Sequence, residues 1–205
     1  MQFVEGSFYH VYNRGNNKQL IFFQERNYEF FLNKIRQYVV PHSNLLAWCL
    51  MPNHFHLLIQ ANPETQKIVK ETPLKINALT ESFRLMLSSY TRAIQKQESM
   101  IGSLFQQKTK FKCADDYLES VFHYVHQNPY RARLVKKMED YPWSSMKEYV
   151  QSSRQDRFEW SDSATQNLCR QDIAYQFMNI DRERFLTDSY SVVPDEVTKR
   201  IEAGL

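Results

Sequence analysis

At 205 residues, with 42% hydrophobic and 24% charged side chains, the chain has room for one core of ordinary size plus an appendage. The formal charge is only +3, and no apolar run approaches the ~20 residues a bilayer span needs, which excludes a helical membrane protein. Cys49, Cys113 and Cys169 are scattered and form no Cys-x-x-Cys pair, which argues against a structural zinc site. With no signal peptide, the expected compartment is a reducing cytoplasm.

Residues 7–13 alternate as a first strand, which Arg14-Gly15-Asn16-Asn17 breaks. Residues 25–40 carry helical periodicity through Tyr28, Phe31, Leu32 and Ile35, ending at Pro41. Residues 44–50 and 54–60 read as two strands joined by the turn Met51-Pro52-Asn53. A polar loop over 61–73 leads to an amphipathic helix over 74–97, with Ile76, Leu79, Phe83, Leu87 and Tyr90 on one side. Residues 102–113 supply a last strand. Asp115-Asp116 then opens a helix whose Leu118, Val121, Phe122 and Val125 recur at helical spacing. Pro129 disfavours helical geometry at the residue before it, so this helix is expected to end near Asn128. After Trp143 the composition shifts to Ser, Gln and Asp, with short helices expected over 172–186. The order is βαββαβ, an α+β pattern without internal repeat.

Two short segments carry the chemistry. In Met51-Pro52-Asn53-His54-Phe55-His56-Leu57-Leu58-Ile59, side chains two apart on a strand share a face, so His54 and His56 point one way and Phe55 the other. Paired imidazoles can hold a divalent metal and leave coordination positions open, although such pairs are also common as hydrogen-bonding residues. In Tyr124-Val125-His126-Gln127-Asn128-Pro129, Tyr124 and Asn128 are four apart and lie on one helix face. A phenol then sits one turn before an amide oxygen that can complete a metal site. A half-buried tyrosine and a helix-stopping Asn-Pro would look the same.

Taken together and in this order, the segments resemble the single-tyrosine HUH transposases of small insertion sequences, and most of all the REP-associated tyrosine transposases. The resemblance also covers Tyr9-His10-Val11-Tyr12-Asn13-Arg14-Gly15, Ala47-Trp48-Cys49-Leu50, Tyr130-Arg131-Ala132-Arg133-Leu134-Val135 and Tyr141-Pro142-Trp143-Ser144-Ser145. It departs at Tyr130 and Arg133, where a smaller residue and a glycine are expected. It implies a ferredoxin-like domain over 1–150, its antiparallel sheet carrying the histidines, with a helical or partly disordered extension over 151–205. Within it, Tyr124 is the nucleophile, His54, His56 and Asn128 hold magnesium or manganese, and the substrate is single-stranded DNA with hairpin or palindromic ends. Relatives act as monomers or as homodimers that exchange the tyrosine helix, and residues 115–128 leave both arrangements open.

The expected reaction is transesterification through a 5′-phosphotyrosine. A phenol with a pKa near ~10 needs its target polarised before it attacks at neutral pH. Imidazole donors favour manganese over magnesium. A DNA-binding module without strand transfer and a metal-dependent phosphodiesterase are the alternatives. Charge is uneven: from Val150 onward seven basic residues meet ten acidic ones, whereas over 104–137 Lys108, Lys110, Lys112, Arg131, Arg133, Lys136 and Lys137 face only Asp115, Asp116 and Glu119. We therefore read Lys108, Lys110, Arg131 and Arg133 as candidate phosphate contacts, with Asn13 and Arg14 at the end of the first strand as candidates for hairpin or guide bases.

Overall fold

Short-range capping decides where the two long helices start. Asn27 and Gln24 form a reciprocal capping box at the start of α1 (Glu25–Tyr38). Asn77 accepts from the Thr80 amide at 2.9 Å to open α2 (Ala78–Glu98). The other elements are β1 (Phe8–Arg14), β2 (Asn44–Met51), β3 (His54–Gln60), β4 (Ile68–Lys70), β5 (Ile76–Asn77), β6 (Lys110–Cys113), α3 (Leu118–Arg131), α4 (Met146–Ser152), α5 (Gln171–Met178), α6 (Phe185–Ser189) and α7 (Asp195–Glu202). The computed structural model describes residues 2–71, 75–152, 167–178, 180–181, 184–191 and 193–203.

The main sheet has the order β2-β3-β1-β6 with all neighbours antiparallel. Alternation along each strand divides its two faces. On one face Phe55 meets Phe31 of α1 and Phe105, and Phe31 meets Tyr90 of α2, building a dry aromatic layer. On the other face lie His54 and His56, with α3 packed on β2 and β3. Phe122 of α3 continues outward into a second cluster with Tyr149 of α4 and Phe185 of α6.

Several boundaries depart from the sequence expectation. The stretch read as loop contains β4, which pairs with β5 in a separate two-stranded hairpin. The second helix begins at Ala78 rather than at 74, because the Asn77 cap sets its start; residues 72–74 lie outside the described residues. Of the expected 102–113 strand, Lys110–Cys113 forms a ladder with β1, while Phe105 makes an isolated bridge to Gly15 and the Gln106 amide donates to the Arg14 carbonyl. Residues 103–109 run instead as a strap, held by Gln19 Nε2 donating to the Ser103 and Leu104 carbonyls and by Asn13 Nδ2 donating to the Gln106 carbonyl and Thr109 Oγ1.

Helix α3 does not stop at Asn128. Pro129 lies inside it, and the helix runs one further turn to Arg131. There the Leu134 amide donates to the Pro129 carbonyl and the Arg133 amide to the Tyr130 carbonyl, both at 2.9 Å. This is the paired closure of a Schellman motif, with Arg133 in the left-handed region at φ 58° where glycine is usual. The completed cap satisfies the last carbonyls, so the local preference against helix before proline is overridden.

The expected short C-terminal helices are present as α5 and α6, and α7 follows them. Gln127 Nε2 donates to the Ser189 and Ser191 carbonyls, tying the α6 end to α3. Lys112 Nζ donates to carbonyls of Arg200 and Ala203, and Tyr12 Oη donates to Ala203 O, tying the end of α7 to β6 and β1. Residues 153–166 lie outside the described residues. Among the described residues no helix is long and apolar enough to cross a membrane.

Candidate nucleic-acid processing site

The register of β3 against its neighbours assembles the histidine face. Met51, His54 and Arg14 lie side by side across β2, β3 and β1, and Cys49, His56 and Tyr12 do the same one step along. The His54 and His56 rings are 5.0 Å apart and nearly perpendicular. Across the gap, the Tyr124 ring of α3 lies 5.7 Å from the His56 ring. A cavity of about 480 Å³ opens here, lined by Arg14, Met51, His54, Tyr124, Asn128, Arg131 and Ala132. Tyr124 and Asn128 thus share the face toward the histidines.

Hydrogen bonds orient the donor atoms. Nδ1 of His54 lies 2.6 Å from Asn53 Oδ1, which engages that nitrogen and leaves Nε2 as the ring's other donor or acceptor. Nδ1 of His56 lies 2.9 Å from Nε2 of His10, while its own Nε2 is buried with no hydrogen-bond partner. An orphaned buried nitrogen requires an explanation. Asn128 Nδ2 donates to the Tyr124 carbonyl at 2.8 Å, so the amide oxygen is its remaining acceptor. Two imidazole nitrogens and an amide oxygen are a donor set that suits a divalent transition ion. Among the described residues no group of three or more His, Cys, Asp or Glu side chains is placed to hold a metal.

Electrostatics favour the ligand form of the imidazoles. Burial, with the nearby Arg14 charge second, lowers the His54 pKa to about 4. Burial, with His54, His10 and Arg14 adding to it, holds His56 well below the ordinary value. Burial and Lys112 bring His10 to about 3. All three rings are neutral at neutral pH, the state in which a ring nitrogen offers a lone pair.

The other sequence candidates take different positions. Arg14 and Arg131 line the cavity, and the Arg131 guanidinium sits 5.5 Å from the Tyr124 ring centroid. Asn13 is buried, and its side chain bonds the strap and the Arg14 amide. Lys108 and Lys110 are exposed and do not line the cavity. Arg133 lines a second cavity beyond Arg131. Gly15 follows Arg14 where the chain passes very close to itself: a Cβ there would overlap the Gln19 carbonyl oxygen and press on Ile21.

His10, which the sequence places on the first strand as a packed or supporting histidine rather than a ligand, lies against the site. It stacks on His56 at 5.0 Å between ring centroids and also approaches Tyr124. The available signal was its alternation with Tyr12 and Arg14, which fixes a common face on β1 but not the strand that lies beside it. His126, two residues from Tyr124, points away as its helical phase requires, with Nε2 2.8 Å from Ser145 Oγ. Trp143 and Ser145 are packing features: Trp143 stacks on Tyr28, and Ser145 Oγ accepts from the Trp48 amide.

No protein-family model matches the chain, and no curated protein matches it. Among solved structures, a REP-associated tyrosine transposase bound to a REP hairpin aligns with it at a TM-score of 0.56 and 15% identity. The alignment covers 81% of this chain and 92% of that one. The chain therefore shares the fold of a REP-associated tyrosine transposase, the group that its own motifs resemble.

Proposed function

We propose that this chain is a transposase-like DNA strand transferase that cleaves and rejoins single-stranded DNA through a 5′-phosphotyrosine on Tyr124. The reading takes residues 1–150 as a ferredoxin-like catalytic unit and 151–205 as an extension, of which the described part includes the helices α5, α6 and α7. The observation that carries it is the convergence of His54 from β3 with Tyr124 and Asn128 from α3 around one cavity, with the His56 ring packed against both the His54 and the Tyr124 rings. The transposase with the shared fold was solved with a REP hairpin, which supports a DNA hairpin as the substrate.

In this reading Arg14 and Arg131, which line the cavity, bind the phosphate of the strand to be cut. Tyr124 Oη forms the new bond to phosphorus, the bond to the 3′ oxygen breaks, and the phenolic proton is delivered to that oxygen as it leaves. The number of phosphodiester bonds is conserved, so a second 3′ hydroxyl can reverse the step and join strands. Arg131 over the Tyr124 ring favours the charge that develops on the phenol. Lys108 and Lys110 add sequence-independent attraction to the backbone. Asn13 positions Arg14 through the Arg14 amide. His54, His56 and Asn128 would hold a divalent ion, and their imidazole donors would favour manganese over magnesium. When bound, that ion supplies Lewis acidity at a non-bridging phosphate oxygen.

The test uses hairpin oligonucleotides with unpaired flanks, copied from palindromes beside the gene and incubated with manganese or magnesium. A denaturation-resistant adduct, mapped to Tyr124 and absent in EDTA, is the expected result. Tight binding without adduct would leave a DNA-binding module, and cleavage without adduct would mean that water attacks.

His10 enters as a positioning residue. If His56 Nε2 gives its lone pair to an ion, the ring proton sits on Nδ1 and donates to His10 Nε2. His10→Ala is therefore expected to weaken manganese binding by roughly 10–100-fold. A manganese titration followed by electron paramagnetic resonance reads this directly. Unchanged affinity would confine His10 to packing.

A further inference from the structure

Beyond the catalytic cavity, the end of α3 presents a second one. It has a volume of about 600 Å³ and is lined by Tyr130, Arg131, Arg133, Leu134, Val135 and Lys136. Its surface combines two unusual exposures, Tyr130 at 44% and Leu134 at 46%, with three cations and no carboxylate in the lining. Single exposed apolar side chains are ordinary, but an aromatic and an aliphatic side by side among cations are not.

Two features show that this surface is built. Tyr130 is braced edge-to-face by Tyr190 at 5.6 Å between centroids. Tyr190 is itself fixed, accepting from the Met138 amide at 3.0 Å and donating to Glu139 at 2.7 Å. An aromatic ring held in one orientation can stack on a flat ligand with little further loss of freedom. The second feature is Arg133, held at φ 58° in a conformation that disfavours a side chain. It contributes to this cavity all the same.

We propose that the Tyr130–Leu134 cavity is a stacking subsite for an unpaired nucleobase of the strand whose phosphate lies at Tyr124. This rests on the strand-transferase reading above. Arg131 lines both cavities, so a strand leaving the first passes directly to the second. Tyr130 and Leu134 supply a face for the base, which any base can use. Arg133 and Lys136 supply charge for the backbone on either side. Three lining cations beside an exposed aromatic ring suit a polyanion that carries flat bases.

The experiment compares two hairpins of one sequence, one blunt and one with an unpaired extension of about ten nucleotides, in EDTA so that nothing is cut. Tyr130→Ala is expected to weaken binding of the extended hairpin about 5- to 150-fold, the equivalent of one lost base stack, and to leave the blunt hairpin unaffected. Tyr130→Phe, which keeps the ring, is expected to bind both as the unaltered chain does. Arg133→Gly relieves the left-handed backbone, so it should raise the melting temperature while weakening the extended hairpin. Lost affinity in a more stable protein cannot be a folding defect. Equal affinity of Tyr130→Ala for the extended hairpin, or equal weakening of both hairpins, would overturn the subsite and leave the strand-transferase reading standing. Failure of the unaltered chain to bind either hairpin would overturn both.

Discussion

Tyr124→Phe is expected to abolish the covalent protein–DNA adduct and to lower strand cleavage on the order of 10³-fold or more, while hairpin binding persists. Phenylalanine is the informative replacement because the Tyr124 ring is only 2% exposed and contacts His56, His10 and Arg131. Keeping the ring keeps those contacts, and loss of the hydroxyl is expected to cost about 1 kcal/mol of stability. Tyr124→Ala would instead open a cavity at a cost of about 3–5 kcal/mol, confusing lost chemistry with lost fold. Denaturing electrophoresis of the manganese reaction reads the adduct, and fluorescence anisotropy in EDTA reads binding. An adduct that survives in Tyr124→Phe would move the nucleophile to another residue. Cleavage that survives without an adduct would make the reaction a hydrolysis.

A second large effect concerns acid. In the fold, burial lowers the pKa of His10 to about 3, His126 to about 3 and His54 to about 4, and lowers His56 and His123 as well. The unfolded value is about 6.5. Below that pH the unfolded chain binds protons that the folded chain refuses, so the contribution to stability is full above about pH 6.5. It is lost progressively as pH falls toward 4 and 3. Each histidine in this window costs about 1.4 kcal/mol per pH unit. Several together would exhaust the stability of an ordinary domain before the lowest values are reached. Glu148 opposes the trend, because burial raises its carboxyl and the protonated form suits the fold; it is one group against five. Metal-free protein is therefore expected to show a urea midpoint that drops steadily below pH 6 and to unfold near pH 5. A midpoint that stays flat from pH 7 to 4.5 would mean that these rings are solvated in the folded state. His126→Gln should flatten the acid limb without touching the candidate site, since His126 faces Ser145.

The features legible from residue order alone each span a few neighbouring positions. That His54 and His56 share a face while Phe55 enters the opposite layer follows from the two-residue repeat of a strand, and β3 runs over His54–Gln60 as expected. That Tyr124 and Asn128 share a face follows from the helical turn, and the Asn128 bond to the Tyr124 carbonyl reflects it. The order of the four main-sheet strands with α1 and α2 between them was legible for the same reason, since hydrophobic periods of two and of 3.6 are local, whereas the β4–β5 pair was not. The remaining features arise from contacts between distant segments. His10 meets His56 across 46 residues because β1 pairs with β3 in one register, and a slip of one residue would turn His10 to the other face. Helix α3 continues through Pro129 because its Schellman closure outweighs a local bias. Tyr130 is held by Tyr190 on a segment 60 residues away. Local periodicity fixes which way a side chain points within its own element. What it points at depends on pairings between distant segments, whose stability comes from burial shared across the whole core and not from any stretch of sequence alone.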